Sequence, residues 1–287
     1  MKKLQFCTFI FLILFSNYSY STEIKQTTFA FWDKPDVELF YLEPQIIDKD
    51  TKILFVIHGN SRTARSYLQK WIPLVKNKNI IIIAPLFTKE SYKSFALLQV
   101  ANSSGKINKD SDDYLNDSIS LFFNFFKNKF SLNIDTYKMY GHSAGAQFIH
   151  RYMLLSNDYR ISDVVIANAG WYTFLDGNNF PYGIKESPVN ISSKRIRWFM
   201  SNKTSLLIGG SDTELLDVNS SKGAMRQGKN RLERASNYFN SLILAGEQNN
   251  IPFRWGFHSI KDVAHSNTKM TPVAAKILLV DVMDVKL

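Results

Sequence analysis

Apolar runs too continuous to alternate recur along this chain, with amphipathic stretches between them. "KILFVIHG" (52–59) and "NIIIIAPLF" (79–87) lack the period-two pattern of a strand with one wet face, so they predict strands buried on both faces. "TYKMYG" (136–141), "SDVVIANAG" (162–170) and "SLLIGG" (205–210) repeat that pattern, and "FRWGFHSI" (253–260) predicts a further strand. Nearer the start, "FAFWDK" (29–34) and "VELFYLEP" (37–44) read as an antiparallel pair. Helix-like segments fall between the strands: Thr63 to Lys76, a helix capped by Ser111 and running to Lys129, "AGAQFIHRYMLL" (144–155), an amphipathic segment over 223–248, and a last helix from about Thr271. Residues 88–110 read as a long loop.

Strands that alternate with helices predict an α/β fold: a mostly parallel central sheet with helices on both faces and antiparallel strands at its N-terminal edge. In such sheets ligands sit at the carboxyl ends of the strands, which is where chemistry-bearing residues have to be sought.

Composition changes the picture mainly at the N-terminus. The chain has 287 residues, 45% of them hydrophobic and 14% aromatic, enough for one large core and no obvious linker, so residues 22–287 are read as one domain. Residues 1–21 have the three parts of a secretory signal: Lys2 and Lys3, an apolar run from Leu4 to Phe15, and Ser19-Tyr20-Ser21 as the small-x-small site. Cleavage after Ser21 is expected, giving a periplasmic or secreted protein without a stable membrane anchor; the 12-residue run is short for an uncleaved span. The single cysteine, Cys7, lies inside that run, so the mature chain is expected to carry no disulfide, thiol or cysteine-metal chemistry. The formal charge of +10 is spread along the chain without the aromatic-interleaved basic cluster of a nucleic-acid groove, and no nucleic-acid partner is expected. No phosphate loop or dinucleotide fingerprint is present, and "DSDDYLND" (110–117) lacks the glycine and ligand spacing of a calcium loop.

One stretch does carry chemistry. "YGHSAGAQF" sets Ser143 in a G-x-S-x-G between a buried strand and a helix, the context in which a tight turn lifts a serine hydroxyl out of the sheet. A serine hydroxyl needs a base and an orienting acid to become a nucleophile. His265, in "KDVAHSN" after a strand, is the best placed of five histidines; His258 falls within a strand, His150 within a helix, and His58 and His142 within turn motifs. "SLLIGGSDTE" puts Asp212 just past a buried strand, with Asp176 as its main rival and Asp217 and Asp262 as surface candidates. An oxyanion hole would use the backbone N–H of Ala144, after the nucleophile, and of Asn60, past His58-Gly59. Trp171 and Tyr172, coming off a strand end, are candidates for a substrate pocket.

"HGNSRTA", "YGHSAGAQF", "GGSDTE" and "VAHSN" stand in the order and spacing of the α/β-hydrolase superfamily, and the resemblance spans nearly the whole mature chain. More narrowly, "NAGWYTFLD", "RQGKNRLERA" and the lack of a long cap insertion resemble bacterial exported esterases of the polyhydroxybutyrate depolymerase and feruloyl esterase type. The resemblance implies an α/β-hydrolase fold without a large cap domain. It also implies a serine hydrolase that cleaves carboxylic esters of small or polymeric substrates through Ser143, Asp212 and His265, without cofactor or metal. Asn-Ser after His58-Gly59 departs from the commoner glycine-rich oxyanion loop. A serine peptidase or amidase on the same fold, and a non-catalytic binding protein that kept it, are the alternatives; oligomeric state is not legible.

Overall fold

A computed structural model of the chain describes residues 23–102, 104–215 and 218–284. The expected signal segment and Asp217 lie outside those residues.

Eight strands form one sheet: β1 (Lys25–Phe29), β2 (Val37–Leu42), β3 (Lys52–Ile57), β4 (Ile80–Leu86), β5 (Tyr137–His142), β6 (Ile161–Ala167), β7 (Lys203–Gly209) and β8 (Trp255–Ile260). Their order across the sheet is β1-β2-β4-β3-β5-β6-β7-β8. β1 and β2 run antiparallel to their neighbours, and every other pairing is parallel. The sheet is therefore the mostly parallel one with an antiparallel N-terminal edge that the hydrophobic pattern predicts.

Among the described residues seven helices cover it: α1 (Ala64–Gln69), α2 (Ser118–Lys129), α3 (Ala144–Leu155), α4 (Ser193–Ser201), α5 (Lys222–Met225), α6 (Arg231–Asn249) and α7 (Asn267–Leu278). Along β3 the side chains part to two sides: Ile53, Phe55 and Ile57 pack with α2, α3 and α6, whereas Leu54 and Val56 pack with α1 and α7. Two apolar layers thus bury the sheet completely at its centre, which is why these strands read as continuous apolar runs.

Several boundaries differ from the sequence reading, each for a local reason. The first strand is "KQTTF" rather than "FAFWDK"; its polar positions face outward on an edge strand, and only Phe29 is buried there. The helix after β3 stops at Gln69, and the chain continues as a 3-10 turn over Ile72–Leu74 around Pro73, which has no N–H to extend it. Ser111 does not cap a long helix. It opens a 3-10 turn, Ser111–Asp113, whose cap is Asp110, and α2 begins only at Ser118. The last helix begins at Asn267, one turn early, with the Ser266 hydroxyl accepting from Lys269 N–H and Pro272 tolerated near its start. Helix α4 was not anticipated; its four apolar positions, Ile196, Trp198, Phe199 and Met200, are interleaved with three basic ones over only nine residues.

Candidate active site

The carboxyl ends of β3, β5, β6, β7 and β8 open onto one face, and each contributes a residue there. At the end of β5 the chain turns through Ser143 into α3. Ser143 has φ 59° and ψ −118°, a backbone conformation unfavourable for a residue with a Cβ. The turn is held because Ser143 N–H donates to Ala167 O at 2.9 Å. It is also held by the absence of side chains on either side. A Cβ on Gly141 would meet Gly145 C and O at 2.5 Å, and one on Gly145 would lie 2.7 Å from His58 O. The two glycines let strand, turn and helix backbones touch, and the serine hydroxyl is left standing above the sheet.

His265, in the loop between β8 and α7, faces it. Its Nε2 lies 3.0 Å from Ser143 Oγ and its Nδ1 2.8 Å from Asp212 Oδ2. A carboxylate only accepts, so Nδ1 carries the proton and Nε2 is left as acceptor for the serine hydroxyl. Asp212, just past β7, is fully buried. Its Oδ2 also accepts from Asn168 Nδ2 at 2.6 Å, and Arg231 Nη1 donates to its Oδ1 at 3.2 Å. Burial pushes the Asp212 carboxyl up, but His265, Asn168 and Arg231 outweigh it and hold the group below its ordinary value, as a carboxylate. Backbone bonds lock the acid loop to the base loop: Gly210 N–H donates to Ile260 O and Ser211 N–H to Val263 O.

The structure therefore brings Ser143, Asp212 and His265 into one hydrogen-bonded chain, from positions 69 and 53 residues apart in sequence. Asp176 instead accepts from Asn178 N–H in a local turn, and His258 is exposed on β8. His150 is buried and satisfied, with Nδ1 on Ala146 O and Nε2 accepting Thr173 N–H. His142 is buried with its ring 4.7 Å from that of His265, and burial above all pushes its imidazole well below the ordinary value, so it stays neutral.

Asn60 and Ala144 border the same cleft as Ser143, and a Cβ on Gly59 would lie 3.6 Å from Ser143 Cβ. The loop that carries Asn60 is fixed from two sides. His58 Nε2 accepts Phe87 N–H, and burial pushes that imidazole down to about 4. Arg62, at φ 58°, donates from Nη1 to Phe87 O, Thr88 O and Tyr92 O and from Nη2 to Lys93 O, while its guanidinium stacks on Phe95 at 4.0 Å.

The cleft has a volume of about 590 Å³. Trp171 lines it. Tyr172 does not: it is fully buried, stacked on Tyr238 with ring centroids 4.3 Å apart, and its backbone N–H and C=O are both taken by Gln227. Sequence reasoning missed Asn168 and Arg231. Asn168 left a signal, being a polar residue ending an apolar run one strand over from Asp212, at φ 50° where Asn is favoured. Arg231, on the first turn of α6 and 19 residues past Asp212, stands in "RQGKNRLERA", a stretch that carries the narrower resemblance but assigns no role to any of its residues.

Solved structures share this architecture. Poly(aspartic acid) hydrolase-1 from Sphingomonas sp. KT-1 is 30% identical, superposes with a TM-score of 0.82 and is matched over 89% of this chain and 98% of its own. A poly(3-hydroxybutyrate) depolymerase from Bordetella parapertussis is 23% identical, with a TM-score of 0.80 over 92% of each chain. A ferulic acid esterase is 14% identical, with a TM-score of 0.53 over 89% of this chain and 96% of its own. No protein-family model matches the sequence, and no curated protein matches it. With a strand-turn-helix serine on an open, mostly parallel sheet, the class is that of the α/β-hydrolases. The chain belongs to that superfamily and is a serine hydrolase, similar in architecture to the polymer hydrolases just named.

Proposed function

We propose that the chain is an exported serine hydrolase that cleaves carboxylic esters through an acyl-enzyme. The observation that carries the reading is the chain of contacts from Ser143 Oγ through His265 to Asp212, 3.0 Å and 2.8 Å long. Ser143 Oγ attacks the ester carbonyl as its proton passes to His265 Nε2, and Asp212 balances the imidazolium that forms. The oxyanion is met by the N–H groups of Ala144 and Asn60, each worth about 3–4 kcal/mol of transition-state stabilisation. The alcohol leaves with the proton from His265. Water then attacks the acyl-enzyme, gives a proton to His265, and Ser143 leaves with it. Residues 1–21 would direct the chain out of the cytoplasm, and the mass of the mature N-terminus reads whether cleavage follows Ser21.

A second reading has one specific observation behind it: the relative at 30% identity hydrolyses poly(aspartic acid). The same three residues would cleave an amide, with His265 protonating the departing amine instead of an alcohol. A fluorophosphonate probe with Ser143→Ala tests the nucleophile. Rates on matched 4-nitrophenyl esters and anilides, beside release of amines from polyaspartate, separate the two substrates. Labelling that persists in Ser143→Ala would refute the mechanism for either.

A further inference from the structure

Two arginines, Arg151 and Arg234, are fully buried, and both sit directly behind the wall of the cleft. Arg151, on α3, donates from Nη1 to Ala96 O at 2.9 Å and Gln147 O at 3.2 Å, and from Nε to Thr173 Oγ1 at 3.0 Å. Its guanidinium lies 4.1 Å from the Trp171 ring, and its Nη2 is buried without a hydrogen-bond partner among the described residues. Arg234, on α6, donates to Gly170 O at 2.8 Å, Asn219 O at 2.9 Å and Gly228 O at 2.9 Å. Ala96, Gln147, Gly170, Trp171 and Asn219 are all residues of the cleft lining, so each guanidinium touches the lining from behind.

The acceptors these two cations use are neutral. Glu233, the acid beside Arg234 in sequence, is exposed and accepts Lys229 N–H instead. Burying a cation without a carboxylate is costly, and the cost is visible: burial pulls the Arg151 guanidinium down to about 9 and lowers that of Arg234 as well, the Arg231 charge adding to the latter. Both still carry their charge at neutral pH. At the rim, the exposed Lys93 borders the cleft and its ammonium has no partner among the described residues. Arg231 also borders it but is matched by Asp212. No acidic side chain is found among the described residues of the lining. A cleft walled by low-dielectric protein focuses such unbalanced charge into its interior.

We propose that this cleft selects substrates bearing a carboxylate close to the scissile carbonyl, drawn by Arg151 and Arg234 from behind the wall and by Lys93 at the rim. The proposal rests on Ser143 being the nucleophile and adds which substrates reach it. Neither arginine touches the reacting atoms; both set the potential the substrate meets. Arginines placed only to tie loop carbonyls together would predict no preference for charge.

The test compares 4-nitrophenyl butyrate with 4-nitrophenyl hemisuccinate, which differ by a terminal methyl against a carboxylate. Each kcat/KM is divided by the spontaneous hydrolysis rate, with fluorophosphonate labelling run in parallel. The wild type is expected to favour the hemisuccinate by roughly tenfold or more, as a charge difference acting through an effective dielectric near 20 requires. The share of that preference due to the exposed Lys93 should fall between 20 mM and 500 mM NaCl, while the share due to the buried arginines is screened less and butyrate turnover stays level. Arg151→Gln and Lys93→Gln should each lower the ratio; if Arg151→Gln does not fold, the salt response and Lys93→Gln, on an exposed side chain, decide. Equal or reversed preference, insensitive to salt, with butyrate turned over and Ser143 labelled, overturns the selectivity and leaves the hydrolase reading standing. Absence of both turnover and labelling overturns the nucleophile, and the selectivity falls with it.

Discussion

Substituting Gly145 by alanine isolates the close approach on which the serine turn depends. The added Cβ would lie 2.7 Å from His58 O and from Ile57 C, and closer still to Ile57 O. Ordinary contact begins at 3.4 Å, so backbone has to give by 0.7 Å at His58 O and by more than that at Ile57 O. The obstacle is the end of β3, which is hydrogen-bonded to β4 on one side and β5 on the other, so it has little freedom to retreat. Overpacking of this kind costs about 3 kcal/mol at the upper end, lowering Tm by roughly 6–12 °C in a domain of this size. The catalytic consequence is larger, because residues 58–60 carry the proposed oxyanion donor. A displacement approaching 1 Å at a reacting centre costs about a hundredfold in rate.

The assay is a thermal melt followed by ester turnover at a temperature where Gly145→Ala remains folded. The expected result is a kcat lowered by about 10²-fold, with a smaller change in KM, since donors aimed at the oxyanion act in the transition state. Gly177→Ala is the internal control: nothing lies within 4 Å of its Cβ position, and the expected change is within about 0.5 kcal/mol. Wild-type Tm and kcat in Gly145→Ala would refute the reasoning, because the contact that dictates glycine there would then be tolerable.

Other expected outcomes follow from the same geometry. Asn168→Gly keeps the φ of 50° inexpensive but removes the 2.6 Å donor to the buried Asp212, and should lower kcat/KM by about tenfold or more and stability by about 1.5–3 kcal/mol in urea denaturation. Arg62→Met removes donors to four carbonyls between Phe87 and Lys93, and should cost about 2–3 kcal/mol in urea denaturation while lowering kcat through the Asn60 loop. The His58 imidazole titrates at about 4 when folded against 6.5 when free, so its contribution is complete above pH 6.5 and is lost as pH falls toward 4. The total is about 3 kcal/mol, and His142 and His150, also held low by burial, add in the same direction. Denaturation at pH 7 and pH 4.5 measures this; equal stability at the two would refute it.

How much of this was legible follows from what the residues have to do. β3 and β4 are buried on both faces and, like the C-terminal parts of β6 and β7, contain little but apolar side chains, so their pattern has one reading. β1 is an edge strand with one buried residue, and nothing in "KQTTF" distinguishes it from a loop; the apolar signal lies instead in Phe31 and Trp32, which follow it and pack on its end. Ser143 was legible because a local rule, glycine at 141 and 145 around a turn, generates its geometry. Asp212 and His265 were legible only at one remove, through the expectation that chemistry collects at strand ends.

Asn168, Arg231, Arg151 and Arg234 obey no such local rule. Each acts on a partner 19 to 64 residues away in sequence, and its role depends on which loop carbonyl or carboxylate the folded chain delivers to it. That difference bears on specificity. Residues that make the bond-breaking apparatus must satisfy fixed distances to one another and therefore leave motifs. Residues that set the charge of the cleft need only lie behind its wall, and an arginine on α3 or α6 reads, in sequence, like any other polar residue of an amphipathic helix. In this chain the +10 formal charge gave no hint of where it matters, because most of it is solvated. Two of those charges are instead fully buried, held by neutral carbonyls within reach of Ser143's cleft, and only the fold separates them from the rest.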